Sequence, residues 1–129
     1  MRDLDKYKGV IPAFYACYDK EGNISPKGVQ ALTRYFVEKG VKGIYVNGSS
    51  GECIYQSVED KKIVLENVMK AAEGKLTVIA HVACNNTKDS QELARHAESL
   101  GVDVYKRQDI ASGVLPVLCA YPEIRSPEL

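Results

Sequence analysis

The sequence predicts an α/β fold built from repeated strand–helix units. An apolar run, a loop, a capped helix and a glycine recur roughly every 30 residues. The apolar runs are continuous rather than alternating, as expected of strands buried on both faces. A single helix between two strands carries the chain back, so the strands must run parallel.

Each element has its own signal. Residues 9–16, GVIPAFYA, form an apolar run that predicts the first strand, and the polar loop DKEGN follows it. Ser25-Pro26 predicts a helix start, because serine caps free N–H groups and proline suits the first turn. Val29, Leu32, Phe36 and Val37 lie at helical spacing, and Gly40 supplies a stop. Residues 41–47, VKGIYVN, predict the second strand. Ser57 and Asp60 make a capping box with Asp in the Glu/Gln position. Ile63, Val64, Val68, Ala71 and Ala72 mark the buried face of that helix, and Gly74 ends it. Residues 76–83, LTVIAHVA, predict the third strand. Thr87 is the expected cap of the next helix, whose inner face is Leu93, Ala94, Ala97 and Leu100, with Gly101 as its stop. Residues 102–105, VDVY, begin a fourth strand. The tail beyond it holds Pro116, Pro122 and Pro127 and predicts neither a fourth helix nor a fifth strand.

Composition narrows the function. The 129 residues have room for one domain, and 17 basic residues balance 17 acidic ones. That balance gives no sign of a nucleic-acid partner or of acidic disorder. No apolar run reaches the ~20 residues of a membrane span. The start, MRDLDKYKG, has no apolar secretion core. Cys17, Cys53, Cys84 and Cys119 are widely spaced with no C-x-x-C, so reduced thiols in a cytoplasmic protein are expected.

In parallel α/β folds the working face lies where strand C-termini meet the following loops. The middle loop there reads Gly48-Ser49-Ser50-Gly51-Glu52. Glycines allow a tight turn and close approach of a ligand. Successive N–H groups and two hydroxyls suit a small anion, a carboxylate or a phosphate. The competing reading is a tight strand-to-helix turn made of small residues. The loop is not a P-loop or a G-x-G-x-x-G turn, and Glu52 breaks the G-x-S-x-G nucleophile elbow. Glu52 is either a general base or, more in keeping with its place, a loop-holding acceptor. His81 suits a hydrogen-bonded core histidine better than a ligand. Cys17, Cys53 and Cys84 match no zinc spacing, so no metal is assigned. Tyr45 suits either a core position or one whose hydroxyl reaches the loop face. His96 and its charged neighbours suggest a solvated helix face.

Two stretches, GIYVNGSSGECIYQSVEDKKIVLENV and KLTVIAHVACNNTKDSQELARHAESLGVD, resemble the N-acetylneuraminate lyases. These belong to the pyruvate-dependent aldolase superfamily that includes dihydrodipicolinate synthase. The resemblance spans residues 6–103. The G-[ST]-[ST]-G-E motif carries the superfamily. Tyr45, Gln56-Ser57 and His81-Val82-x-Cys84 suggest the lyase branch.

The resemblance implies the N-terminal portion of a (β/α)8 TIM barrel, about three and a half βα units. Length alone would favour a doubly wound sheet of five strands. It further implies that Ser49 and Ser50 bind the carboxylate of the pyruvate moiety, supported by Gly48, Gly51, Glu52 and Tyr45. The family reaction cleaves N-acetylneuraminate reversibly to N-acetylmannosamine and pyruvate. It uses a lysine Schiff base and a proton-transferring tyrosine, both from later strands, and no cofactor. Neither residue maps onto this sequence, and Lys106 is no substitute. The expectation is therefore residues 1–103 of a barrel followed by an unmatched tail, 104–129, as a truncated gene model or an assembly error would give, and an inactive chain. The complete enzyme is expected to be a homotetramer acting on sialic acid and pyruvate. Another aldolase of the superfamily, or a non-catalytic half-barrel module, are the alternatives.

Overall fold

The computed structural model describes the backbone of residues 4–108 and 117–120, and side chains within residues 4–103. Three helices, α1 (Pro26–Lys39), α2 (Val58–Ala72) and α3 (Thr87–Ser99), alternate with strands β1 (Gly43–Val46), β2 (Thr77–His81) and β3 (Val104–Gln108). A further strand, β4 (Val117–Ala120), completes a sheet of order β1-β2-β3-β4. β1 pairs with β2, and β2 with β3, in parallel. β4 returns antiparallel to β3, so the tail does contribute a strand that its three prolines argued against.

The run 9–16 is not a regular strand. It touches β1 through one parallel bridge, Ala13 to Tyr45. There the Tyr45 N–H donates to the Pro12 carbonyl at 3.0 Å and the Phe14 N–H to the Tyr45 carbonyl at 2.8 Å. The next bridge in register would need an N–H on residue 12, and proline has none. The chain instead accepts one bond from Lys42, whose N–H reaches the Val10 carbonyl at 2.9 Å.

The helix ends follow local chemistry. Ser25 Oγ accepts from the Gly28 N–H at 3.1 Å, with Pro26 in the first turn. Gly40 closes α1 at φ 73°, a left-handed value natural to glycine. Both bonds of the Ser57–Asp60 capping box are present. The cap of α3 is Asn86, not Thr87: Asn86 Oδ1 accepts from the Asp89 N–H at 2.9 Å, which makes Thr87 the first helical residue.

One core lies between the sheet and the helices. Ile44, Val46, Val78, Ala80 and Val82 are buried with Phe14, Val29, Val64, Leu65, Val68, Leu93 and Ala97. Tyr45, Ile79 and His81 alternate with the buried strand positions, face the other way and are only half-buried. Leu32, Phe36 and Val37 pack against the core edge, while buried Thr33 returns its hydroxyl to the Val29 carbonyl at 2.8 Å. Polar pairs tie the helix layer together. Gln30 donates to Asn67 at 2.7 Å between α1 and α2, and Lys62 meets Glu92 at 2.6 Å between α2 and α3. His96 is no solvated helix position: its ring is mostly covered and its Nε2 lies 2.8 Å from Glu66 of α2. No helix among the described residues is long and apolar enough to cross a membrane.

Candidate functional site

A cavity of about 530 Å³ opens at the C-terminal ends of β1 and β2. Tyr45 and His81 come to it from the strands, Ser49 and Gln56 from the loop after β1, Lys61 from α2, and Cys84 and Asn85 from the loop after β2. The starts of α2 and α3 also border it, at Ser57, Val58 and Asn86. Two helix N-termini and an ammonium thus face one space, which favours an anion. Asp89 is the opposing negative group on its wall. A second cavity, of about 580 Å³, lies at the opposite strand ends among Lys8, Lys39, Lys42 and Lys75. Its lysines are ordinary surface cations: Lys8 pairs with Asp5 and Lys75 with Glu73.

The Ser-Ser loop is a short 3-10 turn, Ser49–Gly51, placed directly after β1. Gly51 N–H donates to the Gly48 carbonyl and Glu52 N–H to the Ser49 carbonyl, each at 3.0 Å. The Ser49 and Ser50 N–H groups lie inside the first of these rings, ahead of its closing donor, so the turn itself offers them no acceptor. Both serines are exposed. Ser49 lines the cavity, whereas Ser50 is not among its lining residues.

The two glycines act through space rather than through left-handed backbone. Gly48 has φ −79°, and the left-handed conformations fall on Asn47 (φ 62°) and Glu52 (φ 59°). A Cβ on Gly48 would lie 2.5 Å from Tyr45 Cε1, so glycine leaves room for the Tyr45 ring. That ring stands 6.1 Å from the His81 ring, centroid to centroid. Buried Asn47 holds its strained position by donating Nδ2 to the Lys61 carbonyl at 3.0 Å.

Glu52 is a loop-holding acceptor, but its donor is a side chain. Tyr18 Oη donates to Glu52 Oε2 at 2.7 Å, joining the first loop to the second. That bond, above all, raises the Tyr18 phenol above its ordinary pKa, while neighbouring Gln56 pulls the other way. Gln56 Nε2 in turn donates to the Gly51 carbonyl at 3.0 Å. The turn is therefore braced by Tyr18 through Glu52, and by Gln56 and Asn47. Tyr18 and Lys61 carry no sequence motif. The helical stripe of α2 offered only one hint, since Lys61 and Val64 lie three residues apart and share a face.

The three described cysteines are free thiols. Cys53 and Cys84 border the cavity; Cys17 does not, and its Sγ lies 3.6 Å from the Tyr15 carbonyl. Burial raises the Cys17 thiol above its ordinary pKa. Cys119, Lys106 and the tail 109–116 and 121–129 lie outside the described side chains.

Residues 6–107 match the model of the dihydrodipicolinate synthetase family. Over 103 residues the chain is 90% identical to an N-acetylneuraminate lyase of Mediterraneibacter gnavus, covering 80% of this chain and 33% of that one. Among solved structures, a catalytic lysine mutant of the Ruminococcus gnavus sialic acid aldolase superposes with TM-score 0.82 at 87% identity, covering 83% of this chain and 35% of that one. The Mycoplasma synoviae N-acetylneuraminate lyase superposes with TM-score 0.78 at 38% identity, over 81% of this chain and 36% of its own. The chain spans about a third of the length of the curated relatives it matches.

Proposed function

The chain belongs to the dihydrodipicolinate synthetase family and has the fold of the N-terminal portion of a (β/α)8 barrel, and from that premise we propose that it carries the pyruvate-binding turn of an N-acetylneuraminate lyase. The observation that carries this reading is the Ser49–Gly51 turn, set on a cavity at the strand ends that two helix N-termini and Lys61 also face. A carboxylate seated there receives the Ser49 and Ser50 N–H groups and hydroxyls. Charge-assisted bonds of that kind are short and strong.

Tyr45 borders the seat and, with Gly48, sets its depth. Gly51 and Glu52 close the turn. The reaction is the reversible cleavage of N-acetylneuraminate to N-acetylmannosamine and pyruvate, a step of sialic acid breakdown in the cytoplasm. The imine-forming lysine and the proton-transferring tyrosine of such a site come from later strands than those matched here, and the complete enzyme is a homotetramer. Residues 1–103 form the barrel portion, and β3 (Val104–Gln108) continues its sheet beside β2. The chain by itself binds pyruvate weakly and cleaves nothing.

A chimera tests this reading. Residues 1–103 would replace the corresponding part of the Mediterraneibacter gnavus relative. The folded chimera is expected to release pyruvate from N-acetylneuraminate, and the 129-residue chain alone is expected not to. A folded but inactive chimera would contradict the assignment.

A further inference from the structure

Lys61 and Cys84 meet on the wall of the same cavity, in a contact that the carboxylate reading leaves unexplained. Lys61 is only 6% exposed, and its Nζ donates to Cys84 Sγ at 3.5 Å. A thiol is a weak acceptor for so deeply placed an amino group. Among the described residues Lys61 enters no ion pair. Cys84 is fixed from behind: its N–H donates to Ser90 Oγ at 2.9 Å, and Ser90 Oγ donates to the Asn86 carbonyl at 3.1 Å. Both side chains line the cavity, which admits a molecule the size of a peroxide.

We propose that Lys61 and Cys84 form a peroxide-driven modification site, in which the two side chains become joined by a sulfur–nitrogen bond. In the first step hydrogen peroxide oxidises the thiol: Cys–SH and H2O2 give Cys–SOH and water. The O–O bond breaks, and sulfur supplies the two electrons that reduce the peroxide. Sulfenic acids condense with nearby nitrogen or thiol groups. In the second step the Lys61 amino group, having given its proton to solvent, attacks Cys84 sulfur. The S–O bond breaks, hydroxide leaves and a further proton is lost: Cys–SOH and Lys–NH3+ give Cys–S–NH–Lys, water and H+. The nitrogen is already in contact, so little side-chain motion is needed. The link ties the first turn of α2 to the loop after β2. Because the Lys61 carbonyl accepts from Asn47, it also bears on the base of the Ser49–Gly51 turn.

The test uses the 129-residue chain treated with hydrogen peroxide, digested without reductant by a protease that does not cut at lysine, and analysed by mass spectrometry. The expected product is a peptide pair joined at Lys61 and Cys84, two hydrogens lighter than the free peptides. It should be reversed by dithiothreitol, absent from Cys84→Ser and Lys61→Arg, and retained in Cys53→Ser. Cys84 found as sulfinic or sulfonic acid on an unlinked peptide would overturn the proposal. So would an unmodified Cys84, a disulfide between Cys53 and Cys84, or a link that retains an oxygen between sulfur and nitrogen.

Discussion

Tyr18 Oη donates a 2.7 Å hydrogen bond to Glu52 Oε2 across 34 residues of sequence, and that bond fastens the first strand-end loop to the second. Glu52 sits at φ 59° immediately after the Ser49–Gly51 turn, in a region that non-glycine residues seldom occupy. Its side-chain bond offsets part of that cost.

Tyr18→Phe is therefore expected to loosen the turn without unfolding the chain. Because Tyr18 is substantially exposed, the loss of stability should be about 1 kcal/mol or less. The Tyr18 pKa is raised by the Glu52 bond, so the neutral phenol is the bonded form. Its contribution is fully present below the ordinary tyrosine range and fades as pH rises through the raised value. Urea unfolding should separate the two proteins at neutral pH and bring them together in strong alkali. Hydrogen exchange at residues 49–52 should quicken in the variant at neutral pH. Equal exchange in the two proteins would show that Tyr18 does not brace the turn.

Gly48→Ala should act on the site rather than on the core. The added methyl meets the Tyr45 ring at 2.5 Å, and the ring can yield only by swinging into the cavity or against His81. A destabilisation of about 1–3 kcal/mol is expected from such overpacking. The Tyr45 ring resonances should shift while those of Val68 stay in place. An unmoved Tyr45 would mean that the glycine serves the turn in some other way.

Ser57→Ala removes the acceptor for the Asp60 N–H and one half of the capping box. The cost should be about 1 kcal/mol in urea unfolding. Ser57→Asp, which can still accept that bond, should recover most of it. Failure of the aspartate to recover stability would place the loss in cavity packing rather than in capping.

Much of this architecture was legible in local chemistry. Ser25, Ser57, Gly40 and the apolar stripes of α1 and α2 act through neighbours three or four residues away, and that spacing is visible in a sequence. Pro12 was visible too, but its effect depends on the partner strand, which a single segment does not show. Asn86 outcompeted Thr87 because the cap is set by which side chain reaches the Asp89 N–H, a difference of one residue. The family motif points to Ser49 and Ser50 as anion-facing residues; of the two, Ser49 lines the cavity. Tyr18, Lys61 and Asn47 were not legible because their partners lie 34, 23 and 14 residues away and are joined only by the fold. The antiparallel return of β4 likewise depends on a long-range pairing, Tyr105 with Ala120.

The central claim is that the Ser49–Gly51 turn seats the carboxylate of pyruvate, and pyruvate inhibition of the active chimera measures it most directly. Ser49→Ala together with Ser50→Ala removes two hydroxyl donors to a charged group, each worth about 1.5–3 kcal/mol. The two losses sum to at least about 3 kcal/mol, so the account predicts a rise in the pyruvate inhibition constant of at least about 100-fold, with the backbone donors still in place and the barrel still folded. An inhibition constant unchanged by the double substitution would contradict it.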